Sequence, residues 1–306
     1  MTKVLIATEK PFAAEAVEGI QAISSEAGFE VIKLEKYKTK DELKSASRSV
    51  DAIIIRSDII DKEIIDASDN LKIVVRAGAG YDNIDLAAAS AKGITVMNTP
   101  GQNANAVAEL GFGMMIYLNR NHFDGSAGTE IRGKKLGIHA YGHIGKLFAH
   151  IGKGFGMQVH AHDPFIDRII IENDGIIAED DVRSLYSNCQ YVTVNLPAND
   201  QTKKSINYNL LSLMPQGATL VNTARKEIID ESSLLKMFEA RSDFRYITDV
   251  MPDCKDEIVA KYTGRYFWTP KKMGAQTAEA NINAGLAAAR QIVSFIKNGD
   301  STFKVN

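Results

Sequence analysis

The sequence predicts an α/β protein with two doubly wound parallel sheets, and three observations support this prediction. Short runs rich in Val and Ile alternate with helix-length segments along the whole chain, which is typical of βαβ units. The 306 residues are about twice the length of a common domain of roughly 150 residues. A glycine-rich turn, AYGHIG, lies near the middle of the chain. We therefore expect two domains, each built around its own sheet.

The predicted elements follow in chain order. The smaller, first sheet has strands at Lys3–Ala7, Glu30–Leu34, Ala52–Ile55, Ile73–Val75 and Thr95–Met97. A helix over Asn103–Leu118 separates it from a second series: Leu136–Ala140, Gln158–His162, Ile176–Ala178, Tyr191–Asn195, Thr219–Asn222, Tyr246–Thr248 and Tyr266–Trp268. Apolar residues then recur at helical spacing in TAEANINAGLAAARQIVSFIKNG, which predicts one long closing helix.

The composition excludes several classes of protein. With 36 basic and 38 acidic residues, no broad field is available to bind nucleic acid or an anionic membrane. The N-terminal apolar run is too short for a signal peptide, and no stretch reaches the ~20 apolar residues of a membrane-spanning helix. We expect a soluble, cytoplasmic protein. Cys189 and Cys254 lack metal-ligand spacing, so neither a disulfide framework nor a metal site is predicted.

The central turn resembles a dinucleotide fingerprint. In KKLGIHAYGHIGKLFAHIG, a predicted strand precedes the turn and a helix follows it, with Gly142 and Gly145 in the G-x-G-x-x-G frame. Gly142 lets a pyrophosphate approach the backbone, and Gly145 lets the helix pack on the strand. The phosphates would lie at the helix N-terminus, beside His143 and Ile144. Ala140 replaces the first glycine, so the turn alone is a weak match.

Asp163 strengthens this interpretation. It ends the second strand of the series, 18 residues after Gly145. A carboxylate at this place accepts hydrogen bonds from a ribose 2′-hydroxyl and repels a 2′-phosphate, so NAD is favoured over NADP. A tight turn without a nucleotide is the alternative. His139 and His143 flank the turn, and we interpret them as strand-end and helix-start residues rather than as catalytic groups.

Several motifs occur in the order and spacing of one enzyme family. They are RAGAGYDNID, NTPGQNANAVAEL, the glycine turn, HDP, NLP, NTARKEIIDE and TDVMP. With them the chain resembles the D-2-hydroxyacid dehydrogenase family, most closely its short phosphoglycerate dehydrogenases, over nearly its whole length. The resemblance implies a Rossmann nucleotide domain at 99–284 and a smaller flavodoxin-like substrate domain at 1–98 and 285–306, with the substrate in the cleft. It also implies a homodimer through the nucleotide domain, or a tetramer.

The resemblance implies roles for individual residues. Arg225 would bind the substrate carboxylate through its planar fork, and Asp249 would lie beside the nicotinamide and tune the acid-base group. Backbone N–H groups of Gly78 and Ala79 would anchor the carboxylate. The alternatives are a surface ion pair for Arg225, a capping role for Asp249 and an ordinary glycine turn for Gly78 and Ala79. The remaining residues implied are Ser57 and Asn103 for the substrate, and Leu196, Pro197, Thr223, Ala224 and Gly274 for the cofactor.

A phosphorylated substrate requires a second anion site. Lys10, Arg56 and Arg76 follow the first, third and fourth predicted strands, and ligands gather at the carboxyl ends of strands in wound sheets. We expect Arg56, with Lys10 helping, to bind the phosphate. Solvated surface cations are the alternative.

The family's catalytic histidine is missing. The family sequence TPH-hydrophobic-Gly is replaced by TPKKMG, which puts Lys272 in the histidine position, and Cys254 replaces the partner glutamate. A lysine, with an ordinary pKa near ~10.4, is already an acid at neutral pH, and a close carboxylate would stop it from acting as a base. Burial and Arg225 would lower its pKa. Lys271 is the alternative proton carrier, and Asp253, Asp256 or Glu257 could replace the glutamate.

These features together predict NAD-dependent interconversion of 3-phosphoglycerate and 3-phosphohydroxypyruvate, the entry step of serine synthesis, with Lys272 as general acid-base. One alternative is a reductase of glyoxylate, hydroxypyruvate or another 2-keto acid. A second is a non-catalytic NAD-binding scaffold. The retention of Arg225 and Asp249 favours an enzyme over the scaffold.

Overall fold

The structure is a computed structural model that describes all 306 residues. The chain forms two compact units: unit 1 comprises Met1–Ala104 and Ala275–Asn306, and unit 2 comprises Asn105–Gly274. The domain boundaries predicted from the sequence differ from this division. The predicted boundary at 284/285 falls inside the unbroken helix Ala278–Asn298, and the whole helix goes with unit 1.

The elements are, in chain order, β1 (Lys3–Thr8), α1 (Ala14–Glu26), β2 (Glu30–Glu35), α2 (Lys40–Ser47), β3 (Ala52–Ile55), α3 (Lys62–Ala67), β4 (Ile73–Arg76), α4 (Leu86–Ala91), β5 (Thr95–Asn98), α5 (Ala104–Asn119), β6 (Lys135–His139), α6 (His143–Gly154), β7 (Gln158–His162), α7 (Arg168–Asn173), β8 (Ile177–Ala178), α8 (Val182–Asn188), β9 (Tyr191–Val194), α9 (Tyr208–Leu211), β10 (Thr219–Asn222), α10 (Glu231–Ala240), β11 (Arg245–Thr248), α11 (Lys255–Lys261), β12 (Tyr266–Trp268) and α12 (Ala278–Asn298).

Unit 1 has a five-stranded parallel sheet in the order β2-β1-β3-β4-β5. Alternate residues of each strand face opposite sides, so Ile6 and Ile54 pack with α1 and α12, whereas Leu5 and Ile53 pack with α2, α3 and α4. Both faces are covered, which explains why the strands are continuous apolar runs.

Unit 2 has a seven-stranded parallel sheet in the order β12-β11-β10-β9-β6-β7-β8. The order reverses between β9 and β6, which are paired neighbours, and wound sheets bind ligands outside the carboxyl ends of the strands at such a point. The loops after β6, β7, β9, β10, β11 and β12 therefore share one edge. Most of the site residues predicted for this half of the chain lie in these loops.

The structure confirms the predicted fold class. Every predicted strand is present, with ends that shift by no more than one residue. One shift has a local cause: β6 ends at His139 rather than at Ala140, because Ala140 has φ +78° and a left-handed residue cannot continue a strand. No helix is long and apolar enough to cross a bilayer. Both cysteines are free thiols, and no group of three potential metal ligands comes together.

Candidate active site

The glycine turn of unit 2 has the geometry that the fingerprint predicts. Gly142 is the N-cap of α6, and a methyl group built there would meet no atom within 4 Å. A methyl group on Gly145 would instead come within 3.0 Å of the Ala140 carbonyl oxygen and within 2.9 Å of Ile138 Cγ2. Gly142 therefore leaves open space beside the first turn of α6, and Gly145 allows the helix to approach β6.

Asp163 fixes the shape of this turn. Its Oδ2 accepts the backbone N–H of Tyr141 at 2.8 Å, and its Oδ1 accepts that of Phe165 at 2.9 Å. Each carboxylate oxygen keeps a further lone pair. The carboxylate is half-buried at the end of β7, beside the glycine turn, where a ribose of a bound dinucleotide would lie. The open Gly142 and this acceptor fit a dinucleotide without a 2′-phosphate.

The two histidines of the turn differ in their surroundings. His139 is buried, its Nδ1 lies 3.2 Å from the Tyr186 hydroxyl, and burial lowers the pKa of His139 to about 3. It is the last residue of β6, the strand-end position that the sequence indicated. His143 begins α6 and is exposed, next to the half-buried Ile144.

The loop after β10 brings the predicted arginine and lysine together. Asn222, the last residue of β10, bonds the Ala224 N–H at 3.0 Å and the Arg225 carbonyl at 2.9 Å and so fixes the turn. Arg225 Nη1 donates to the Ala224 carbonyl at 3.0 Å, and Lys272 Nζ donates to the same oxygen at 2.9 Å. Two bonds to one oxygen leave the two nitrogens at most about 5.9 Å apart.

Lys272 is exposed, so the burial predicted from the sequence is not found. The other expected influence, a neighbouring cation, is present in Arg225. Lys271 is also exposed, and its carbonyl accepts the Thr269 hydroxyl at 2.7 Å. Of these two lysines, Lys272 is the one whose amine bonds to the Ala224 carbonyl.

Asp249 supports the loop that carries Lys272. It is fully buried after β11, and its Oδ2 accepts the N–H groups of Gly274 at 2.7 Å and Met273 at 3.2 Å. Its Oδ1 is buried and has no hydrogen-bond partner. Burial raises the pKa of Asp249, and the charge of Lys272 is among the influences that oppose this rise. A methyl group on Gly274 would lie 3.0 Å from Asp249 Oδ2, so glycine permits this close approach.

The region of the missing glutamate is organised by a different carboxylate. Glu231, the first residue of α10, accepts the N–H groups of Asp253 and Cys254, each at 2.8 Å. Burial and Glu231 raise the pKa of the Cys254 thiol to about 12. Asp253 pairs with Lys226 at 2.6 Å, and Asp256 and Glu257 are exposed in the first turn of α11. Glu231 had no signal in the sequence, because its partners follow 22 and 23 residues later.

The other residues predicted to bind the cofactor lie along the same edge of the unit 2 sheet. Thr223 follows β10 and its buried Oγ1 has no hydrogen-bond partner. Leu196 and Pro197 follow β9, the first half-buried and the second exposed. A buried hydroxyl without a partner is uncommon, which fits a ligand that supplies one.

In unit 1, Gly78 has a backbone conformation that favours glycine. Its φ is +148°, and a methyl group there would overlap the Arg76 guanidinium, which lies against the Gly78 backbone. Its N–H donates to the Arg76 carbonyl at 2.8 Å, so this predicted carboxylate anchor already has an acceptor. Because the Gly78 N–H is already used, the Ala79 N–H is the better candidate. The Ala79 carbonyl accepts Asn98 Nδ2 at 2.6 Å. Asn103, also in unit 1, has a buried Oδ1 without a partner.

Arg56, a cation of the predicted phosphate site, is held by several contacts. Its guanidinium bonds the carbonyls of Lys10 and Pro11 and the side chain of Asn281, and it lies 5.3 Å from the centre of the Phe12 ring. Burial lowers its pKa. Arg76 Nε donates to the Arg56 carbonyl at 3.1 Å, which brings the two arginines together, while the side chains of Lys10 and Ser57 are exposed.

Two residues of this cluster were missed from the sequence. Asp58 is buried and accepts the backbone N–H groups of Glu9 and Arg56, at 2.7 and 3.1 Å, and the Tyr37 hydroxyl at 2.7 Å. Its position just after β3 was a usable signal. Asn281 had none, because it lies 225 residues from Arg56.

Comparisons with known proteins agree with these features. The model of the family "D-isomer specific 2-hydroxyacid dehydrogenase, catalytic domain" matches residues 4–306. A D-3-phosphoglycerate dehydrogenase of Methanocaldococcus jannaschii is 32% identical over 85% of this chain and 52% of its own, so the chain spans about half of that relative. A hydroxypyruvate reductase of Thermotoga maritima is 34% identical over 83% of this chain and 87% of its own. The solved structure of NAD+-bound 3-phosphoglycerate dehydrogenase from Entamoeba histolytica is 47% identical, with a TM-score of 0.89, over 100% of this chain and 98% of that one.

Proposed function

The chain belongs to the D-isomer specific 2-hydroxyacid dehydrogenase family, and we propose that it interconverts 3-phosphoglycerate and 3-phosphohydroxypyruvate with NAD. Similarity to phosphoglycerate dehydrogenases supports the substrate, and the NAD+-bound one, similar over the full length, supports the cofactor. The observation that carries the proposal is the pairing of Arg225 and Lys272 on the Ala224 carbonyl. It joins an anion-binding group and a proton carrier within one site.

NAD is proposed to bind along the carboxyl edge of the unit 2 sheet, where it supplies or accepts the hydride. Gly142, His143 and Ile144 would face its pyrophosphate at the N-terminus of α6, and Asp163 would accept from its ribose hydroxyls. The unpaired Oδ1 of Asp249 supports a cofactor amide N–H as its donor, because buried acceptors are almost always satisfied.

Arg225 is proposed to bind the carboxylate of the substrate and to polarise its carbonyl. One of its N–H groups is used by the Ala224 carbonyl, and the planar guanidinium carries five donors in all. A two-point contact with a carboxylate aligns the keto acid more strictly than a lysine could, because the fork is rigid. This alignment would set the distance between the keto oxygen and the acid-base group.

Lys272 is proposed to donate a proton to the keto oxygen during reduction and to accept one during oxidation. At about 5.9 Å, two positive charges repel by roughly 1–3 kcal/mol for effective dielectric constants of about 80 to 20. This repulsion favours release of the proton to the substrate, and attraction between Lys272 and an ionised Asp249 opposes it. Because Lys272 is exposed, the lower end of the range applies until bound substrate excludes water.

The phosphate is proposed to bind to Arg56 of unit 1, with Lys10 and Arg76 contributing charge. Ser57, Asn103 and the Ala79 N–H are the other groups of unit 1 proposed to contact the substrate, because the Gly78 N–H bonds the Arg76 carbonyl. A homodimer in the cytoplasm belongs to the same proposal, on the basis of the family resemblance.

The hydroxypyruvate reductase among the relatives supports a second candidate, a reductase of unphosphorylated 2-keto acids. The test is NADH oxidation by the purified protein with 3-phosphohydroxypyruvate, hydroxypyruvate and glyoxylate as alternative substrates. We expect kcat/KM to be highest for the phosphorylated acid. Equal or higher kcat/KM for hydroxypyruvate would favour the reductase, and NADH binding without any turnover would favour a non-catalytic scaffold.

A further inference from the structure

We propose that Asn281 is a positioning residue that orients Arg56 toward the phosphate of the substrate through a neutral amide oxygen rather than through an ion pair. This inference rests on the proposed function, in which Arg56 binds that phosphate. It concerns contacts within unit 1, because Asn281 lies in the first turn of α12 and Arg56 directly follows β3.

The direction of the Asn281 amide is determined by its neighbours. Its Nδ2 donates to the carbonyl of Thr277, the N-cap of α12, at 2.7 Å. The amide nitrogen is therefore used within the helix, and Oδ1 accepts from Arg56 Nη2. A flipped amide would direct its nitrogen at a guanidinium that has only donors, so a single orientation satisfies both partners.

The hydrogen bonds of the Arg56 guanidinium go to uncharged acceptors, while the nearby charge of Asp58 partly offsets the effect of burial on the pKa of Arg56. Nη1 bonds the carbonyls of Lys10 at 3.4 Å and Pro11 at 3.3 Å, and Nη2 bonds the Asn281 amide oxygen. Asp58 is the nearby carboxylate, but its hydrogen bonds go to the backbone of Glu9 and Arg56 and to a tyrosine hydroxyl. Asp58 thus fixes the loop without a hydrogen bond to the guanidinium.

The donors that remain on Arg56 suit a phosphate. A guanidinium has five N–H groups, and the bonds to Lys10, Pro11 and Asn281 leave Nε–H and one hydrogen of Nη2. These two donors can contact a phosphate at two points. Partial burial, which lowers the pKa of Arg56, strengthens such a contact because it reduces screening by water.

The test is Asn281→Asp, which keeps the shape of the side chain but gives Arg56 a carboxylate partner. We expect KM for 3-phosphohydroxypyruvate to rise about 10- to 100-fold, as for the loss of one charge-assisted contact. KM for hydroxypyruvate should change less than about twofold, and kcat should be kept for both. Asn283→Asp is the matched control, because Asn283 is exposed on the same helix and the substitution adds the same charge. Thermal unfolding of both variants tests that the fold is intact.

The outcomes separate this inference from the proposed function. A wild type that prefers hydroxypyruvate contradicts the proposed function itself. If the wild type prefers the phosphorylated acid, three results overturn the inference alone: an unchanged KM in Asn281→Asp, an equal rise for both substrates, or an equal rise in the Asn283→Asp control. A rise in KM of Asn281→Asp that is selective for the phosphorylated acid supports the inference, provided that Asn281→Gln, whose amide is neutral, shows a smaller rise.

Discussion

Gly142 and Gly145 provide a test that separates a glycine needed for ligand approach from one needed for packing. Both belong to the same glycine-rich segment, and the test replaces each of them separately by alanine. At Gly142 the added methyl group meets no protein atom within 4 Å, and its φ of −78° suits any residue. At Gly145 the methyl group would lie 2.9 Å from Ile138 Cγ2 and within 3.0 Å of the Ala140 carbonyl.

The expected magnitudes follow from these contacts. Gly145→Ala forces backbone to move, because the Ala140 carbonyl cannot rotate away, and overpacking of this kind costs about 1–3 kcal/mol or more. Gly142→Ala loses a favourable N-cap residue, about 1 kcal/mol, but gains about 0.4–1 kcal/mol from a less flexible unfolded chain. Its stability should therefore stay within about 1 kcal/mol of the wild type. Its methyl group nevertheless occupies the space through which a pyrophosphate would approach, so NADH affinity should fall at least ~10-fold.

The assay combines urea unfolding with NADH titration by fluorescence. We expect Gly142→Ala to be stable but weak in NADH binding, and Gly145→Ala to be destabilised. Wild-type NADH affinity in Gly142→Ala would show that the cofactor does not use the open space at Gly142.

Three further predictions concern single side chains. His139, with its pKa lowered to about 3 by burial, contributes stability that is complete above its unfolded pKa of about 6.5 and is lost as the pH falls toward 3. Between pH 7 and 4.5, the free energy of unfolding measured in urea should therefore fall by about 2–3 kcal/mol more in the wild type than in His139→Leu. Equal decreases would contradict this. Asp163→Ala removes the acceptor of the Tyr141 N–H and of the ribose, so the preference for NADH over NADPH should fall at least ~10-fold in fluorescence titrations; an unchanged ratio would exclude Asp163 as the discriminating residue. Arg225→Lys keeps the charge but loses the planar fork, so KM for the keto acid should rise about 10- to 100-fold in steady-state assays while NADH affinity is kept; unchanged KM would show that the fork does not bind the carboxylate.

The fold was largely predictable from the sequence, because its strands are buried on both faces. Runs such as Ala52–Ile55 carry no alternation, and their burial against helices on both sides leaves few other structures possible. The end of β6 was misplaced by one residue. The pattern of side chains does not report the left-handed backbone of Ala140, which the turn imposes on a residue that is not glycine.

The site was predictable where its residues end strands, and less so where it depends on partners distant in sequence. Arg225 and Asp249 were assigned from the family resemblance of their motifs, and in the structure each lies just after a strand of the unit 2 sheet. The exposure of Lys272 could not be foreseen, since it depends on which side chains surround the loop. Nor could the contact of Asn281 with Arg56, or that of Glu231 with Cys254, because only the fold brings these elements together.

In the proposed mechanism, Lys272 carries out the proton transfer that the histidine performs elsewhere in the family. Lys271→Ala is the matched control, because Lys271 is the adjacent exposed lysine and its carbonyl bond to Thr269 does not involve its side chain. The measurement is the single-turnover rate of NADH oxidation with saturating 3-phosphohydroxypyruvate as a function of pH. We expect Lys272→Ala to lose about 10²–10⁴-fold in rate with unchanged NADH affinity, while Lys271→Ala keeps the wild-type rate and pH profile. Wild-type turnover by Lys272→Ala would show that Lys272 is not the proton carrier.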